Sequence, residues 1–249
     1  MNRLFGLIGY PLGHSWSKKY FENKFESENI TDASYQVFPI EKAVAIVGLL
    51  KTYPNLAGLN VTIPHKTSII TLLDSLDPVA REINAVNTIR IEHKVNQTIL
   101  LGYNTDVHGF EQSIAPLLRP HHRSAMILGT GGAAKAAAWV FEKLGIDFVM
   151  VSRNPELNHQ LGYHELSEDL FEKYTIIVNA TPMGMAPDAD TFPPLPYHFL
   201  SSHHLLFDMV YNPEETIFLK EGLKQGAITK NGFEMLQVQA EKAWEIWCR

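Results

Sequence analysis

A lysine and an aspartate lie among amides and hydroxyls in the N-terminal half of the chain. The residues concerned are Asn60, Thr62, Lys66, Asn87 and Asp106. Asn60 and Thr62 share one side of an extended segment, because side chains alternate along a strand. A base and an acid surrounded by hydrogen-bond donors are what proton transfer on a hydroxylated substrate requires. The cluster predicts a site at which a hydroxyl group gains or loses a proton.

A glycine turn follows the apolar run 126–128. Gly129, Gly131 and Ala134 fit the pattern GxGxxG/A between a predicted strand and a predicted helix. The first glycine permits a tight turn, and the second lets a pyrophosphate approach the backbone. The N–H groups at the helix start, around Gly132 and Ala133, favour phosphate oxygens. Such turns are also found without a ligand, but beside a proton-transfer cluster this one predicts a dehydrogenase.

The end of the next predicted strand, 147–151, bears on the choice of nucleotide. Ser152 and Arg153 stand where an NAD site usually has an acidic residue for the ribose hydroxyls. A guanidinium can bind a 2′-phosphate, so the pair favours NADP. The alternative is a solvated surface arginine. Pro155 and Glu156 follow instead of a second basic residue, so we expect only a modest preference for NADP.

Composition excludes several classes of protein. The 249 residues carry a net charge of −6, which argues against a nucleic-acid partner, and 45% of them are hydrophobic. The one cysteine, Cys248, cannot form an internal disulfide. No signal peptide and no apolar run near the ~20 residues of a membrane span is visible, so we expect a cytoplasmic protein without membrane contact. The histidine pairs 121–122 and 203–204 lack acidic or cysteine partners, and no metal is expected.

Apolar periodicity predicts alternating strands and helices along the chain. The predicted strands are 4–8, 35–38, 57–62, 85–91, 97–102, 125–128, 147–151, 175–179 and 204–208. The predicted helices are 16–29, 41–51, 106–118, 132–144, 214–224 and 233–248. The alternation indicates an α/β protein with parallel strands in two domains. We predict an α/β substrate-binding and catalytic domain at 1–104 and a Rossmann-like, doubly wound dinucleotide-binding domain at 105–232, with the last helix, 233–249, packing back on the first domain.

Eight short motifs share their order and spacing with one known family. They are 9–17 (GYPLGHSWS), 60–66 (NVTIPHK), 85–88 (AVNT), 102–106 (GYNTD), 129–133 (GTGGA), 179–184 (NATPMG), 208–211 (DMVY) and 231–236 (NGFEML) followed by Gln239. Each motif alone is weakly specific, but eight in one order rarely arise by chance. Along its whole length the chain resembles the shikimate dehydrogenase family.

The resemblance implies a reversible hydride transfer between NADP and the 3-position of shikimate, giving 3-dehydroshikimate, on the route to chorismate and the aromatic amino acids. It implies three groups of site residues. Ser15, Ser17 and Tyr211 would hold the substrate carboxylate, and Thr62, Asn87, Asp106 and Gln239 its ring hydroxyls. Cofactor contacts would come from the glycine turn, Ser152, Arg153 and Thr181, with Met209 and Gly232 lining the nicotinamide pocket.

Lys66 and Asp106 would flank the reacting hydroxyl in this interpretation. A free lysine titrates near ~10.4 and is a poor base at neutral pH. We therefore expect Lys66 and Asp106 to titrate as a coupled pair, with Lys66 passing the proton. Ser15 and Ser17 have a second reading, as caps of the helix at 16–29.

The chain departs from the family pattern at two places. Lys18 stands where a proline usually follows the HSxS turn, with little expected effect. The segment between Arg153 and Asn179 is short, so a helix there is expected to be trimmed. Three alternatives stay open: an NAD-preferring quinate/shikimate dehydrogenase, a non-catalytic shikimate or nucleotide binder, and another two-domain NADP enzyme acting on a different ring. The sequence leaves the oligomeric state at monomer or homodimer.

Overall fold

The computed structural model of the chain describes residues 2–13, 15–95, 97–156 and 160–249. The chain forms two compact units: an N-terminal unit of Met1–Thr105 with Ala240–Arg249, and a central unit of Asp106–Gln239. The second division falls within the last helix, so residues before Ala240 belong to the central unit. The domain limits expected from the sequence stay predictions. His14, of the first motif, lies outside the described residues.

Within the described residues, six strands build the sheet of the N-terminal unit: β1 (Arg3–Gly9), β2 (Ala33–Pro39), β3 (Leu56–Val61), β4 (Ser75–Leu76), β5 (Thr88–Lys94) and β6 (Gln97–Tyr103). Their order is β2–β1–β3–β5–β6–β4. The pairs β1–β2 and β1–β3 are parallel, as predicted. β5 is antiparallel to both β3 and β6, so the sheet is mixed. The β5–β6 pair must be antiparallel, because few residues connect the two strands and only antiparallel strands can be joined by so few.

The helices of this unit are α1 (Trp16–Ser27), α2 (Ile46–Thr52), α3 (His65–Ser68) and α4 (Pro78–Ile83). α2 begins later than predicted because Ala43–Ala45 form a 3-10 turn. α4 was not predicted. Its start nevertheless has recognisable sequence signals. Asp77 accepts from the N–H of Ala80 at 2.8 Å, and Pro78 occupies the first helical position.

An aromatic cluster closes the core of the N-terminal unit. The Trp247 ring stacks on Phe5 with a centroid separation of 4.9 Å, and Trp244 meets Phe5 edge-on at 5.3 Å. The indole N–H of Trp247 donates to the carbonyl of Ile89 at 2.9 Å. A Cβ on Gly58 would collide with that indole nitrogen, so only glycine fits beneath the ring. The C-terminal segment is therefore part of this unit's core.

The central unit has its own six-stranded sheet within the described residues: β7 (Ser124–Leu128), β8 (Asp147–Ser152), β9 (Gln160–Gly162), β10 (Ile176–Asn179), β11 (Leu205–Asp208) and β12 (Ile228–Lys230). The order is β12–β11–β10–β7–β8–β9, and every pair is parallel. This is the strand order of a doubly wound dinucleotide-binding fold. The predicted α/β class with a Rossmann-like sheet is confirmed.

The helices that follow in the chain are α5 (Asp106–Ile114), α6 (Gly132–Leu144), α7 (Glu168–Lys173), α8 (Ile217–Lys224) and α9 (Phe233–Trp247). α6 has the predicted limits, because Gly145 ends it in a left-handed conformation with φ 67°. α5 ends four residues early at a 3-10 turn, Ala115–Leu117, that contains a proline. α7 has only six residues, as expected for a trimmed segment. Among the described residues, no helix is long and apolar enough to cross a bilayer.

Two buried histidines close turns at one end of the central sheet. His122 Nδ1 accepts from the backbone N–H of Arg119 at 3.0 Å, and His204 Nδ1 accepts from that of Ser201 at 3.0 Å. The ring proton must therefore sit on Nε2 of each, 3.2 Å and 3.0 Å from the carbonyls of His203 and Phe171. Burial lowers the pKa of both rings, and the charge of His121 lowers that of His122 further. No three His, Cys, Asp or Glu side chains within the described ranges group as metal ligands would.

We predict that these two histidines make a contribution to the stability of the unit that is lost as the pH falls below about 6.5, the ordinary pKa of histidine. The unfolded chain takes up protons there before the folded chain does, so acid favours unfolding. Each histidine adds at most about 1.4 kcal/mol per pH unit to the slope. Urea unfolding from pH 5 to 8 measures it, and the double variant His122→Gln with His204→Gln should flatten the dependence. His198→Gln, at an exposed position of the same unit, is the control; an equal flattening there would contradict the prediction.

Candidate functional site

Five of the predicted site residues lie in the N-terminal unit, and three of them, Thr62, Lys66 and Asn87, lie at one edge of its sheet. β1, β3 and β6 end at this edge and the antiparallel β5 begins there. Thr62 follows β3, and its N–H donates to the carbonyl of Ile8 at 2.9 Å. The Lys66 carbonyl accepts from the N–H of Val86 at 2.7 Å, next to Asn87. Backbone hydrogen bonds thus bring Thr62, Lys66 and Asn87 to the same strand ends.

The amide of Asn87 is held in one orientation. The backbone N–H of Thr105 can only donate, and it lies 2.7 Å from Asn87 Oδ1. Thr88 Oγ1 donates to the same oxygen at 3.2 Å. The amide nitrogen is therefore the donor end, 3.0 Å from Thr105 Oγ1. A fixed donor of this kind suits a substrate hydroxyl as acceptor.

A buried tyrosine extends this network away from the edge. The Tyr35 hydroxyl donates to Asn60 Oδ1 at 2.8 Å, and Asn60 Nδ2 reaches Thr88 Oγ1 at 3.5 Å. Tyr35 is 3% exposed and Thr88 is fully buried. Burial raises the pKa of Tyr35 well above its usual value, and a hydrogen bond with the Ser17 side chain opposes the rise. Tyr35 is not among the predicted site residues, because its partner is 25 residues away in the chain.

We predict that Tyr35→Phe destabilises the protein by about 1–3 kcal/mol, since it leaves a buried acceptor on Asn60 without its donor. The loosened network should also raise KM for the hydroxylated substrate more than it lowers kcat. Urea unfolding and steady-state kinetics measure the two effects. Tyr53→Phe is the matched control, because Tyr53 is only half-buried and packs by its ring against Phe38. Equal losses in both variants would sink the prediction.

Ser15 and Ser17 start α1. Ser15 Oγ accepts from the N–H of Lys18 at 3.3 Å, so Ser15 caps the helix. This uses one lone pair and leaves the hydroxyl proton for donation. The capping role expected as an alternative is therefore observed for Ser15, and it is compatible with binding a carboxylate.

The glycine turn of the central unit connects β7 to α6. Gly129 has φ +106°, a conformation that side-chain-bearing residues rarely adopt, and its N–H donates to the carbonyl of Val151 at 2.8 Å. Gly131 caps α6 without a side-chain hydrogen bond. A Cβ on Gly131 would meet no atom within 4 Å, so packing does not explain this glycine. The open space beside the helix N-terminus, with Gly132 and Ala133 as its first residues, fits a phosphate.

A buried carboxylate ties together the loops that follow β10 and β11. Asp208 Oδ1 accepts from Asn179 Nδ2 and from the N–H of Val210, both at 3.0 Å. Its Oδ2 accepts from Thr216 Oγ1 at 2.5 Å. Asn179 in turn accepts from the Thr181 hydroxyl at 2.6 Å. The network therefore fixes the loop of Thr181 beside the loop that follows Asp208.

The loop after β12 packs against the loop that follows Asp208. A Cβ on Gly232 would collide with the carbonyl oxygen of Met209, and one on Gly129 would lie 3.2 Å from Thr181 Cγ2. Because all six strands are parallel, the loops after them meet at one edge of the sheet. The structure places every predicted cofactor residue at this carboxyl edge: Gly129, Gly131, Gly132, Ala133, Ser152, Arg153, Thr181, Met209 and Gly232.

The charge of Asp208 depends on pH in the physiological range. Burial raises its pKa to about 6, against the hydrogen bonds from Thr216, Val210 and Asn179, which lower it. Asp208 and Asn179 are not among the predicted site residues, although both lie inside motifs of the family. A lone Asp or Asn at a strand end does not show which buried donors face it.

A cavity of about 540 Å³ opens beside the end of β8. Ser152 and Arg153 line it, as expected for a 2′-phosphate site. Lys135, from α6, and Glu156 line it too. No second basic residue closely follows Arg153 in the sequence, but Lys135 reaches the cavity from a helix that precedes β8 in the chain.

The remaining site residues belong to the central unit. Asp106 is the first residue of α5 and is buried. A Cβ on Gly109, one turn later, would lie 3.0 Å from Cβ of Gln239 in α9, so these two helices pack closely there. Burial raises the pKa of Tyr211, which keeps its hydroxyl a proton donor. The coupling of Lys66 with Asp106 stays a prediction.

Comparison with known proteins identifies the family. A model of the shikimate dehydrogenase substrate binding domain matches residues 7–89. A shikimate dehydrogenase (NADP(+)) from Desulforamulus reducens is 35% identical over 264 residues, covering 97% of this chain and 88% of that protein. The chain belongs to the shikimate dehydrogenase family. This confirms the predicted family and its class, an NADP-linked oxidoreductase of the shikimate pathway.

Solved structures of shikimate dehydrogenases have the same fold. The shikimate 5-dehydrogenase of Thermus thermophilus, in complex with NADP(H) and shikimate, superposes with a TM-score of 0.83 at 28% identity, covering 98% of this chain and 93% of that one. A quinate dehydrogenase from Corynebacterium glutamicum, in complex with NAD, has a TM-score of 0.84 at 26% identity, covering 99% and 93%. Fold alone therefore does not separate the two cofactors within this set.

Proposed function

We propose that the chain catalyses the reversible oxidation of shikimate to 3-dehydroshikimate with NADP. The observation that carries the proposal is the polar edge of the N-terminal unit, where backbone hydrogen bonds bring Thr62 and Lys66 to the same strand ends as the fixed amide donor of Asn87. These groups suit a hydroxylated ring whose hydroxyl must lose a proton. Membership of the family supplies the identity of the ring.

The roles proposed for the substrate residues follow from their chemistry. Ser15, Ser17 and Tyr211 hold the carboxylate as hydroxyl donors. Thr62, Asn87, Asp106 and Gln239 bind the ring hydroxyls. Lys66 takes the proton of the 3-hydroxyl during oxidation, in concert with Asp106, and as an ammonium polarises the ketone during reduction.

Bound NADP+ supplies the hydride acceptor. The open space at Gly131 and the N-terminus of α6 fit its pyrophosphate, and Ser152 with Arg153 fits the 2′-phosphate. Thr181, Met209 and Gly232 form the wall proposed for the nicotinamide, and the Asp208 network keeps that wall in place. We also propose that the enzyme works in the cytoplasm, as a monomer or homodimer.

An NAD-linked activity on quinate or shikimate is the second candidate. Glu156 favours it, because an acidic side chain in the same cavity as Ser152 suits a ribose 2′-hydroxyl. Arg153 opposes it.

The experiment is to mix purified protein with shikimate or quinate, each with NADP or NAD, and to follow the absorbance of the reduced nicotinamide. Reduction chiefly with shikimate and NADP is the expected result. Reduction chiefly with NAD would keep the substrate proposal and overturn that of the cofactor. Folded protein that reduces neither cofactor would overturn the proposed catalysis and favour a binding function.

A further inference from the structure

We propose that Lys135 is the second cation of the 2′-phosphate site and sets the preference for NADP over NAD. The inference rests on the proposed use of a nicotinamide dinucleotide. It deepens that function by naming the ligand chemistry that Lys135 recognises, a phosphomonoester on the adenosine ribose.

The cavity at the end of β8 is where a ribose and its substituent would lie. Thr130 and Lys135 line one part of it, from the glycine turn and α6. Ser152 and Arg153 line another, directly after β8. The two basic residues therefore reach one cavity from different elements.

Charge in this cavity is not balanced by the protein. Lys135 is in the first turns of α6, where the helix dipole disfavours a cation. In the part of the chain that the structure describes, neither Lys135 nor Arg153 forms an ion pair with a carboxylate. Glu156 adds one negative charge against their two positive charges. A phosphomonoester, with a charge of about −1.5 to −2 at pH 7, supplies the missing negative charge.

The position of Lys135 also explains how a second positive charge reaches the cavity although no basic residue closely follows Arg153. The ammonium group of Lys135 is a point charge that approaches from α6, whereas the planar guanidinium of Arg153 approaches from the β8 loop. A 2′-hydroxyl has no charge for either group to bind, so removal of Lys135 should affect NADP and not NAD.

The test measures nucleotide binding directly, by isothermal titration with adenosine 2′,5′-bisphosphate and with adenosine 5′-monophosphate. Lys135→Ala should weaken binding of the bisphosphate by about tenfold to a hundredfold, as loss of a hydrogen bond to a charged group does, and leave the monophosphate unchanged. Lys135→Arg should retain most of the affinity, and Glu156→Gln should tighten bisphosphate binding. Lys224→Ala is the matched control, because it removes one positive charge from an exposed site on α8 of the same unit.

Equal weakening of both nucleotides by Lys135→Ala would overturn the inference, because it would place Lys135 at the 5′-phosphate or in the fold. No weakening at all would overturn it as well. If wild-type protein oxidises shikimate with NADP and Lys135→Ala does so with the same KM for NADP, the inference falls and the proposed function stands. If the wild-type protein oxidises no substrate but binds the bisphosphate more tightly than the monophosphate, and Lys135→Ala abolishes that difference, the inference stands and the proposed function falls.

Discussion

Replacing Lys66 by alanine should lower kcat for shikimate oxidation by about a hundredfold to ten-thousandfold, the range that acid–base catalysis contributes. Hydride can leave the 3-carbon only as the hydroxyl proton leaves the oxygen, and Lys66 is the group proposed to receive it. The fold should survive, because the bond between the Lys66 backbone carbonyl and the N–H of Val86 is kept in the variant. Steady-state kinetics with saturating shikimate and NADP measure the change.

Two further variants sharpen this test. Lys66→Arg should stay nearly inactive, since a guanidinium keeps its charge but does not release its proton at neutral pH. Lys51→Ala, at an exposed position of α2 in the same unit, should behave as wild type. A Lys66→Ala protein that keeps substantial turnover would remove Lys66 from proton transfer and leave the rest of the site intact.

The Asp208→Ala variant should lose about 3–5 kcal/mol of stability and much of its affinity for NADP. The substitution strips an acceptor from three buried donors, on Asn179, Val210 and Thr216. Such a loss is a large part of the roughly 5–15 kcal/mol that stabilises a typical domain. Chemical unfolding and the KM for NADP measure the two effects.

The Asp208→Asn variant is the matched control and should lose less stability, because its amide oxygen still accepts from the N–H of Val210.

Protonation of Asp208 also makes the stability of the fold depend on pH. The folded pKa, about 6, is raised above the usual value near ~3.9. The protonated acid therefore stabilises the fold below about pH 4, and that contribution, roughly 3 kcal/mol, is lost as the pH rises through 6. Wild type should lose stability relative to Asp208→Asn over this interval; parallel curves would refute the buried charge.

Elements with long apolar patterns and clear end signals could be predicted from the sequence. α6 has the limits expected for it because Gly131 and Gly145 mark both ends. The short edge strands β4, β9 and β12 have two or three residues each, too few for a period to show. The direction of β5 in the sheet depends on its antiparallel pairing with β3, a distant strand, and no local pattern encodes that pairing.

The candidate site divides in the same way. Motif residues such as Gly129, Lys66 and Asn87 could be named because the family resemblance marks their positions. Tyr35 and Lys135 could not. The role of Tyr35 depends on a hydrogen bond across 25 residues, and that of Lys135 on which face of α6 turns toward the end of β8.

The aromatic cluster around Trp247 provides intrinsic tryptophan fluorescence that reports on the N-terminal unit. Of its four tryptophans, Trp16, Trp244 and Trp247 belong to the N-terminal unit, and only Trp139 belongs to the central unit. A Trp139→Phe variant would emit from the N-terminal unit alone, so its fluorescence would report the melting of that unit separately. Comparison with circular dichroism of the whole chain would then show whether the two units unfold in one step or in two.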